Sequence, residues 1–171
     1  DTNMRIVNCK SAAQYFHVLR RQALLLRTDP LPLVVMTPKS LLRHPFTASA
    51  AGELADGRFQ LVIDDPWAAA HASTVRRLVL CSGKVAVDLL TSERRKSTPA
   101  VAIVRVEQLY PFPTVALREA LAGYPSAREV VWLQEEPANM GAWEFARPLL
   151  EELLDGRCAL PHAQQTEGRW S

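Results

Sequence analysis

The sequence has no excess of either charge, no cysteine-pairing pattern, no long apolar run and no glycine-rich phosphate signature, and each absence removes a class of function. Its 171 residues carry a formal net charge of +2, too little to favour nucleic acid or an anionic membrane surface. Cys9, Cys81 and Cys158 are far apart, odd in number and without any C-x-x-C pair. Neither a zinc site nor a disulfide framework is supported, and they read as buried free thiols of a reducing compartment. Apolar runs are broken by Arg27, Asp29, Pro30 and Pro32, well short of the roughly 20 residues that cross a bilayer. The patterns G-x-x-x-x-G-K-[ST], G-x-G-x-x-G and G-x-S-x-G are missing, which argues against a nucleotide P-loop, a dinucleotide fingerprint and a nucleophile elbow. His17, His44, His71 and His162 share no metal-ligand spacing. Asp1-Thr2-Asn3 offers neither a basic start nor an apolar core, so the expectation is a protein without signal peptide, of the cytoplasm or the mitochondrial matrix.

What is present is ordinary globular composition, 48% hydrophobic and 22% charged, in a chain long enough for one compact domain and part of a second. Ser11 can cap a helix to about Leu26 with Ala12, Tyr15, Phe16, Leu19, Ala23 and Leu26 on one face, ended by Asp29-Pro30-Leu31-Pro32. Leu33-Val34-Val35-Met36 reads as a short strand buried on both faces. From 46 to 59 the composition turns small and polar, and a boundary there divides residues 1–45 from 46–171. Gln60 to Ile63 is a candidate strand and Asp64 to Ser73 a surface loop. Three strand–helix units follow: Arg77–Cys81 with Lys84–Arg95, Val101–Val106 with a helix capped by Thr114 and closed at Gly123, and Val130–Gln134 with Ala142–Leu154. That rhythm predicts an α/β, doubly wound fold with a mainly parallel sheet and right-handed crossovers. Residues 157–171 show no period.

Ligands of open parallel sheets meet the loops beyond the C-terminal strand ends, and three unusual segments fall there. Ser82-Gly83-Lys84 sets a glycine turn and a cation at a helix start: a candidate anion corner, beside the plainer reading of a tight turn. Glu107-Gln108-Leu109-Tyr110-Pro111-Phe112-Pro113 alternates aromatics with prolines, a stiff loop that either covers the sheet end or offers Tyr110 and Phe112 to a partner. Gln134-Glu135-Glu136-Pro137-Ala138-Asn139-Met140-Gly141-Ala142-Trp143 carries paired carboxylates, but adjacent residues in an extended loop point apart. An interface role for Glu135, Glu136, Asn139 and Trp143 is expected rather than two-carboxylate catalysis. No complete active site is visible.

These segments also carry a family resemblance. Asn3-Met4-Arg5-Ile6-Val7, Tyr15-Phe16-His17-Val18-Leu19-Arg20-Arg21-Gln22 and Pro32-Leu33-Val34-Val35-Met36-Thr37-Pro38-Lys39-Ser40-Leu41-Leu42-Arg43-His44 resemble the end of the pyrimidine-binding domain in first components of 2-oxoglutarate dehydrogenases. Cys81-Ser82-Gly83-Lys84-Val85, Val101 to Pro113 and Gln134 to Trp143 are similar to their third domain. The resemblance implies a transketolase C-terminal-like three-layer sandwich joined to the last helix and strand of the preceding domain. It further implies a homodimer, a lipoyl-bearing succinyltransferase as second component, and thiamine diphosphate with magnesium in the intact enzyme. The family's Gly-Asp-Gly…Asn diphosphate motif, thiazolium-activating carboxylate and substrate histidines have no counterpart here. No residue is therefore assigned to catalysis, cofactor or metal, and the chain alone is expected to be inactive. If the family's packing holds, Lys39, Arg43 and Arg105 would converge on Ser82, Gly83 and Lys84 as a regulatory site for a phosphate-bearing metabolite such as a coenzyme A ester. Gly156-Arg157-Cys158-Ala159-Leu160-Pro161-His162 departs from the family's Gly-Arg-Pro-x-Ser-Ala-Ser-Pro segment, which leaves three readings of residues 157–171: native, truncated or frame-disrupted. A 2-oxoadipate-type relative and a stand-alone non-catalytic binding module are the alternatives.

Overall fold

The computed structural model describes residues 2–166 and 169–170. The chain begins with a strand the sequence pattern did not reveal, β1 (Arg5–Val7), followed by α1 (Ala12–Leu25). Ser11 caps α1 as expected, its hydroxyl accepting from the Gln14 N–H. The buried face differs from the apolar stripe predicted: Ala13, Gln14, His17 and Val18 face inward, while Tyr15, Phe16 and Leu19 are each 44% exposed. Hydrogen bonding decides this orientation. The Gln14 side chain donates to the Gln60 carbonyl at 2.7 Å and accepts from the Gln60 N–H at 3.0 Å, and His17 Nε2 meets the Glu53 carbonyl at 2.7 Å. The segment between residues 49 and 60 therefore lies across that face, and it holds a short helix, α2 (Ala51–Asp56), where only a polar link was expected.

Strand β2 (Leu33–Val35) pairs parallel with β1, but it is an edge strand with Val34 43% and Met36 48% exposed, not the doubly buried strand expected. After β3 (Val62–Ile63) the expected surface loop folds into α3 (Pro66–Ala69). Pro66 pre-sets the first helical position, and Asp65 accepts from the Trp67 and Ala68 N–H groups. The regular rhythm then appears: β4 (Arg77–Cys81), α4 (Lys84–Thr91), β5 (Val101–Val106), β6 (Gln108–Tyr110), α5 (Thr114–Ala122), β7 (Glu129–Gln134) and α6 (Trp143–Leu154). Helix α4 stops at Thr91, because Ser92 turns extended and caps a 3-10 turn over Glu93–Ser97 instead of continuing to Arg95. Thr114 is the first residue of α5 rather than its cap, a place taken by Pro113. Part of the unassigned tail forms β8 (His162–Thr166) and β9 (Arg169–Trp170).

Two sheets result. The larger has the order β3-β5-β4-β7-β8-β9, with β4, β5, β7 and β8 mutually parallel and antiparallel strands at both edges; the smaller has the order β2-β1-β6. Alternate residues of the central strands bury opposite faces. Leu78, Leu80, Val104, Val130 and Trp132 pack with α3, α5 and α6, while Val79, Cys81, Ile103, Val131 and Leu133 pack with α4. The α/β expectation holds with helices on both faces. Among the described residues no helix is long and apolar enough to cross a membrane.

Asp65 anchors the rim of this core. It is 3% exposed, pairs with Arg95, and accepts the Ile103 N–H at 3.1 Å as well as the two α3 donors. Breaking such a buried pair costs about 3–5 kcal/mol, whereas an exposed helical pair such as Arg147–Glu151, screened by solvent, contributes far less. Urea unfolding of Asp65→Ala and Glu151→Ala should show that contrast. A loss below about 1 kcal/mol at Asp65 would contradict the anchoring role.

Candidate functional site

Three C-terminal strand ends of the larger sheet gather where the smaller sheet abuts it, and Glu107 stands at the junction between β5 and β6. Its side chain is 1% exposed. The backbone carbonyl of Glu107 accepts from the Asn8 N–H at 2.7 Å, and its carboxylate accepts from the Lys10 N–H at 3.2 Å. Arg105, two residues back and so on the same strand face, brings its Nε to 3.7 Å from the other carboxylate oxygen. Arg21 of α1 donates to Gln108 at 2.8 Å, and Gln108 donates to the Pro111 carbonyl at 2.9 Å. The loop leaving β1 is thus stitched to the β5–β6 corner.

Burial sets the electrostatics. Desolvation pushes Glu107 up from the usual carboxylate range, opposed by Arg105 and by the bonds and charge of Lys10. Lys10 is 3% exposed, donates to Asn8 Oδ1, and is pushed down by desolvation against the pull of Glu107. Cys9 and Cys81 are each pushed up to about 12, chiefly by burial, so neither thiol is poised as a nucleophile. Cys81 is the buried free thiol expected, while Cys9 and Cys158 are half-buried.

Beyond β7, Gln134 organises the loop. Its side-chain oxygen accepts from the Trp132 indole N–H at 3.0 Å, and its amide donates to the carbonyls of Glu136, Pro137 and Met140 at 3.0, 3.1 and 2.7 Å. The chain returns at Gly141 with φ +69°, where a Cβ would stand 2.9 Å from Glu136 Oε2 and 3.1 Å from the Gln134 amide. At the first strand end Gly83 takes φ +87°, with a Cβ position only 2.8 Å from Asn8 Nδ2, so the turn and the β1 exit loop can approach only over a glycine.

The expected site residues separate into groups. Ser82, Tyr110, Glu135 and Glu136 line one cavity of about 330 Å³ together with Trp132, Gln134 and Phe145. Gly83 borders it, with Glu135 Oε2 3.8 Å from its Cβ position. Lys84 is paired with Asp88 one turn along α4. Arg105 pairs with Glu107 and lines other cavities, and neither Lys39 nor Arg43, both exposed, lines the cavity with Ser82. Tyr110 and Phe112 are half-buried and pack edge-to-face on Phe145, with centroids 5.8 and 6.1 Å apart. Trp143 stacks on His162 at 4.9 Å, burial lowering the proton affinity of that histidine, and Asn139 is exposed. Asn8, Glu107, Gln134 and Phe145 were not singled out by sequence reasoning. The one available signal was the charge pair Arg105 and Glu107 at strand spacing inside an apolar run.

The fold is an α/β sheet with its unusual loops collected at the strand ends, and among the described residues there is no group of three or more His, Cys, Asp or Glu residues fit to hold a metal. The sequence profile of the 2-oxoglutarate dehydrogenase C-terminal family matches residues 48–170. The chain is 44% identical over 169 residues to the 2-oxoglutarate dehydrogenase E1 component of Shouchella clausii (strain KSM-K16), covering 97% of this chain and 18% of that one. It is 48% identical to the proteins of the same name from Bacillus mycoides (strain KBAB4) and Geobacillus kaustophilus (strain HTA426), over 90% of this chain and 16% of theirs. The chain belongs to the 2-oxoglutarate dehydrogenase E1 family of oxidoreductases and corresponds to its C-terminal part. It spans less than a fifth of the length of these relatives.

Glu107 supplies the test of this junction. A carboxyl whose folded pKa lies above its unfolded value of 4.5 holds a proton that the unfolded chain releases, so its stability contribution is full below 4.5 and falls as pH rises through the folded pKa. Glu107→Gln keeps an acceptor and removes the titration. The stability of the wild type relative to Glu107→Gln should therefore decline from acid toward neutral pH in urea titrations; a gap independent of pH would refute a burial-raised Glu107.

Proposed function

We propose that the polypeptide carrying this chain is a 2-oxoglutarate dehydrogenase that oxidatively decarboxylates 2-oxoglutarate and passes the succinyl group to lipoyl-lysine on a second component, working as a cytoplasmic homodimer. The observation that carries this reading is 44–48% identity across 90–97% of the chain to relatives bearing that name. Thiamine diphosphate and magnesium belong to that activity, and no residue of this chain is assigned to either. No step of the chemistry is assigned to this segment.

Its role in this reading is packing. Residues 1–45 are the end of a pyrimidine-binding domain and residues 46–171 a transketolase C-terminal-like domain. The first of these units leaves apolar surface: strand β2 is an edge of a three-stranded sheet, and Leu24, Leu26, Val34 and Met36 are exposed. Tyr110, Phe112, Asn139 and Trp143 belong to the strand-end surface that faces other parts of the assembly. A regulatory anion at Ser82-Gly83-Lys84 would have to draw Lys84 from Asp88, and the carboxylates around that corner weigh toward ligands of opposite charge.

The assay follows directly. With thiamine diphosphate, magnesium and ferricyanide as electron acceptor, the intact polypeptide should turn over 2-oxoglutarate in preference to 2-oxoadipate, and residues 1–171 alone should turn over neither. Preference for 2-oxoadipate, or turnover by this chain alone, would overturn the assignment.

A further inference from the structure

At the opposite end of the larger sheet from the strand-end loops, a cavity of about 360 Å³ opens between α5 and α6, a volume suited to a small ligand. It lies below the N-terminal ends of β4 and β7, marked by Leu78 and Val130. Its accessible wall is apolar. Leu121 and Ala122 of α5, Pro125 and Ala127 of the following turn, and Leu153 of α6 are each half-buried or exposed. Two polar groups in the lining are already satisfied inside the protein. The Tyr124 hydroxyl donates to Asp64 at 2.6 Å, and the Cys158 thiol donates to the Ala127 carbonyl at 3.6 Å.

Two guanidinium groups are not satisfied. Arg118 of α5 and Arg157, just past the end of α6, come from separate elements to line this one cavity, and both are exposed. Among the described residues neither side chain donates a hydrogen bond or forms an ion pair. Glu119, Glu152 and Asp155 stand close to them in sequence, yet no acidic residue lines the cavity and none of these three pairs with either arginine. Two further cations add to the positive field. The Arg128 N–H donates to the Arg76 carbonyl at 2.9 Å, which sets these residues side by side at the same end of the sheet. The Arg76 guanidinium meets only the Ser73 carbonyl, and neither arginine has a carboxylate partner among the described residues. Arg77, by contrast, is neutralised by Glu129. Low-dielectric walls around a cleft focus such a field into it.

We propose that this cavity binds an amphipathic anion, a carboxylate carried on a compact apolar body. The body lies between α5 and α6 against Leu121, Pro125 and Leu153. The carboxylate sits at the mouth and accepts N–H bonds from Arg118 and Arg157. The guanidinium fork matches carboxylate geometry, and such charge-assisted bonds exceed neutral ones. A cationic head would meet like charges here, and a neutral one would leave both forks unmatched. The activity proposed for the intact polypeptide makes no use of this end of the sheet.

The test uses the intact polypeptide and three probes with one body and different heads: 3-phenylpropionate, 3-phenylpropanol and 3-phenylpropylammonium, measured by calorimetry and saturation-transfer NMR. The carboxylate should bind about tenfold or more tightly than the alcohol, and the ammonium should not bind. The double variant Arg118→Gln, Arg157→Gln should lose about tenfold in carboxylate affinity. Its thermal unfolding should be unchanged, since both side chains are exposed and without partners among the described residues. The head-group series on unaltered protein makes the result independent of how the variant folds. Saturating 2-oxoglutarate separates this cavity from a substrate pocket elsewhere in the polypeptide, and 3-phenylpropionate should stay bound in its presence. Equal affinity for carboxylate and alcohol, undiminished binding in the double variant, displacement by 2-oxoglutarate, or no binding at all would overturn the proposal. Turnover of 2-oxoglutarate in the same preparation reports separately: activity without carboxylate binding at this cavity refutes this inference alone, and binding without activity refutes the enzymatic reading alone.

Discussion

Glu107 leaves the end of β5 with its carboxylate almost wholly shielded from water, and the geometry on either side follows from where that charge finds partners. An isolated buried carboxylate is costly by several kcal/mol, about 3–5 when a partner is removed, so it persists only where donors converge. Here they come from two directions. Arg105 arrives along the same strand, and the Lys10 N–H arrives from the loop that leaves β1. Satisfying one charge thereby brings the smaller sheet against the larger. The Gly83 turn approaches Asn8 on that same loop, and the cavity opens between the sheets so joined.

The junction explains why the strand-end loops form one surface and not three. Gln134 folds its loop back on Trp132, Phe145 receives Tyr110 and Phe112 from the loop after β6, and Ser82 closes the floor from β4. Each contact is local and modest, but all depend on the two sheets keeping one relative position. The relatives that the chain matches are more than five times its length.

Much of the larger sheet was legible because its strands are continuous apolar runs, Leu78–Cys81, Val101–Val104 and Val130–Leu133, separated by clear breaks. What escaped was decided by tertiary contacts. Strand β1 is three residues long and carries Arg5, so no periodicity marks it, and β6 hides in a proline-flanked segment that reads as loop. The inward face of α1 was misjudged because Gln14 and His17 are buried by hydrogen bonds to partners 46 and 36 residues away, which local pattern does not encode. Ser82 is expected at an anion corner and Tyr110, Glu135 and Glu136 at an interface; the structure places these four on one cavity. Lys84 was read as free charge, but Asp88, one helical turn on, neutralises it, a spacing present in the sequence and decisive in the structure. The family itself was recognisable from contiguous motifs, since these lie in the loops and strand ends where the chain is least ordinary.

Glu107 holds the smaller sheet to the larger, and native-state hydrogen exchange of Glu107→Ala measures this most directly. The amides of Asn8, Lys10 and β1–β2 should lose protection together, while those of β4, β5 and β7 remain as slow as in the unaltered protein. Unchanged protection at Asn8 and Lys10, or an equal loss across both sheets, would contradict it.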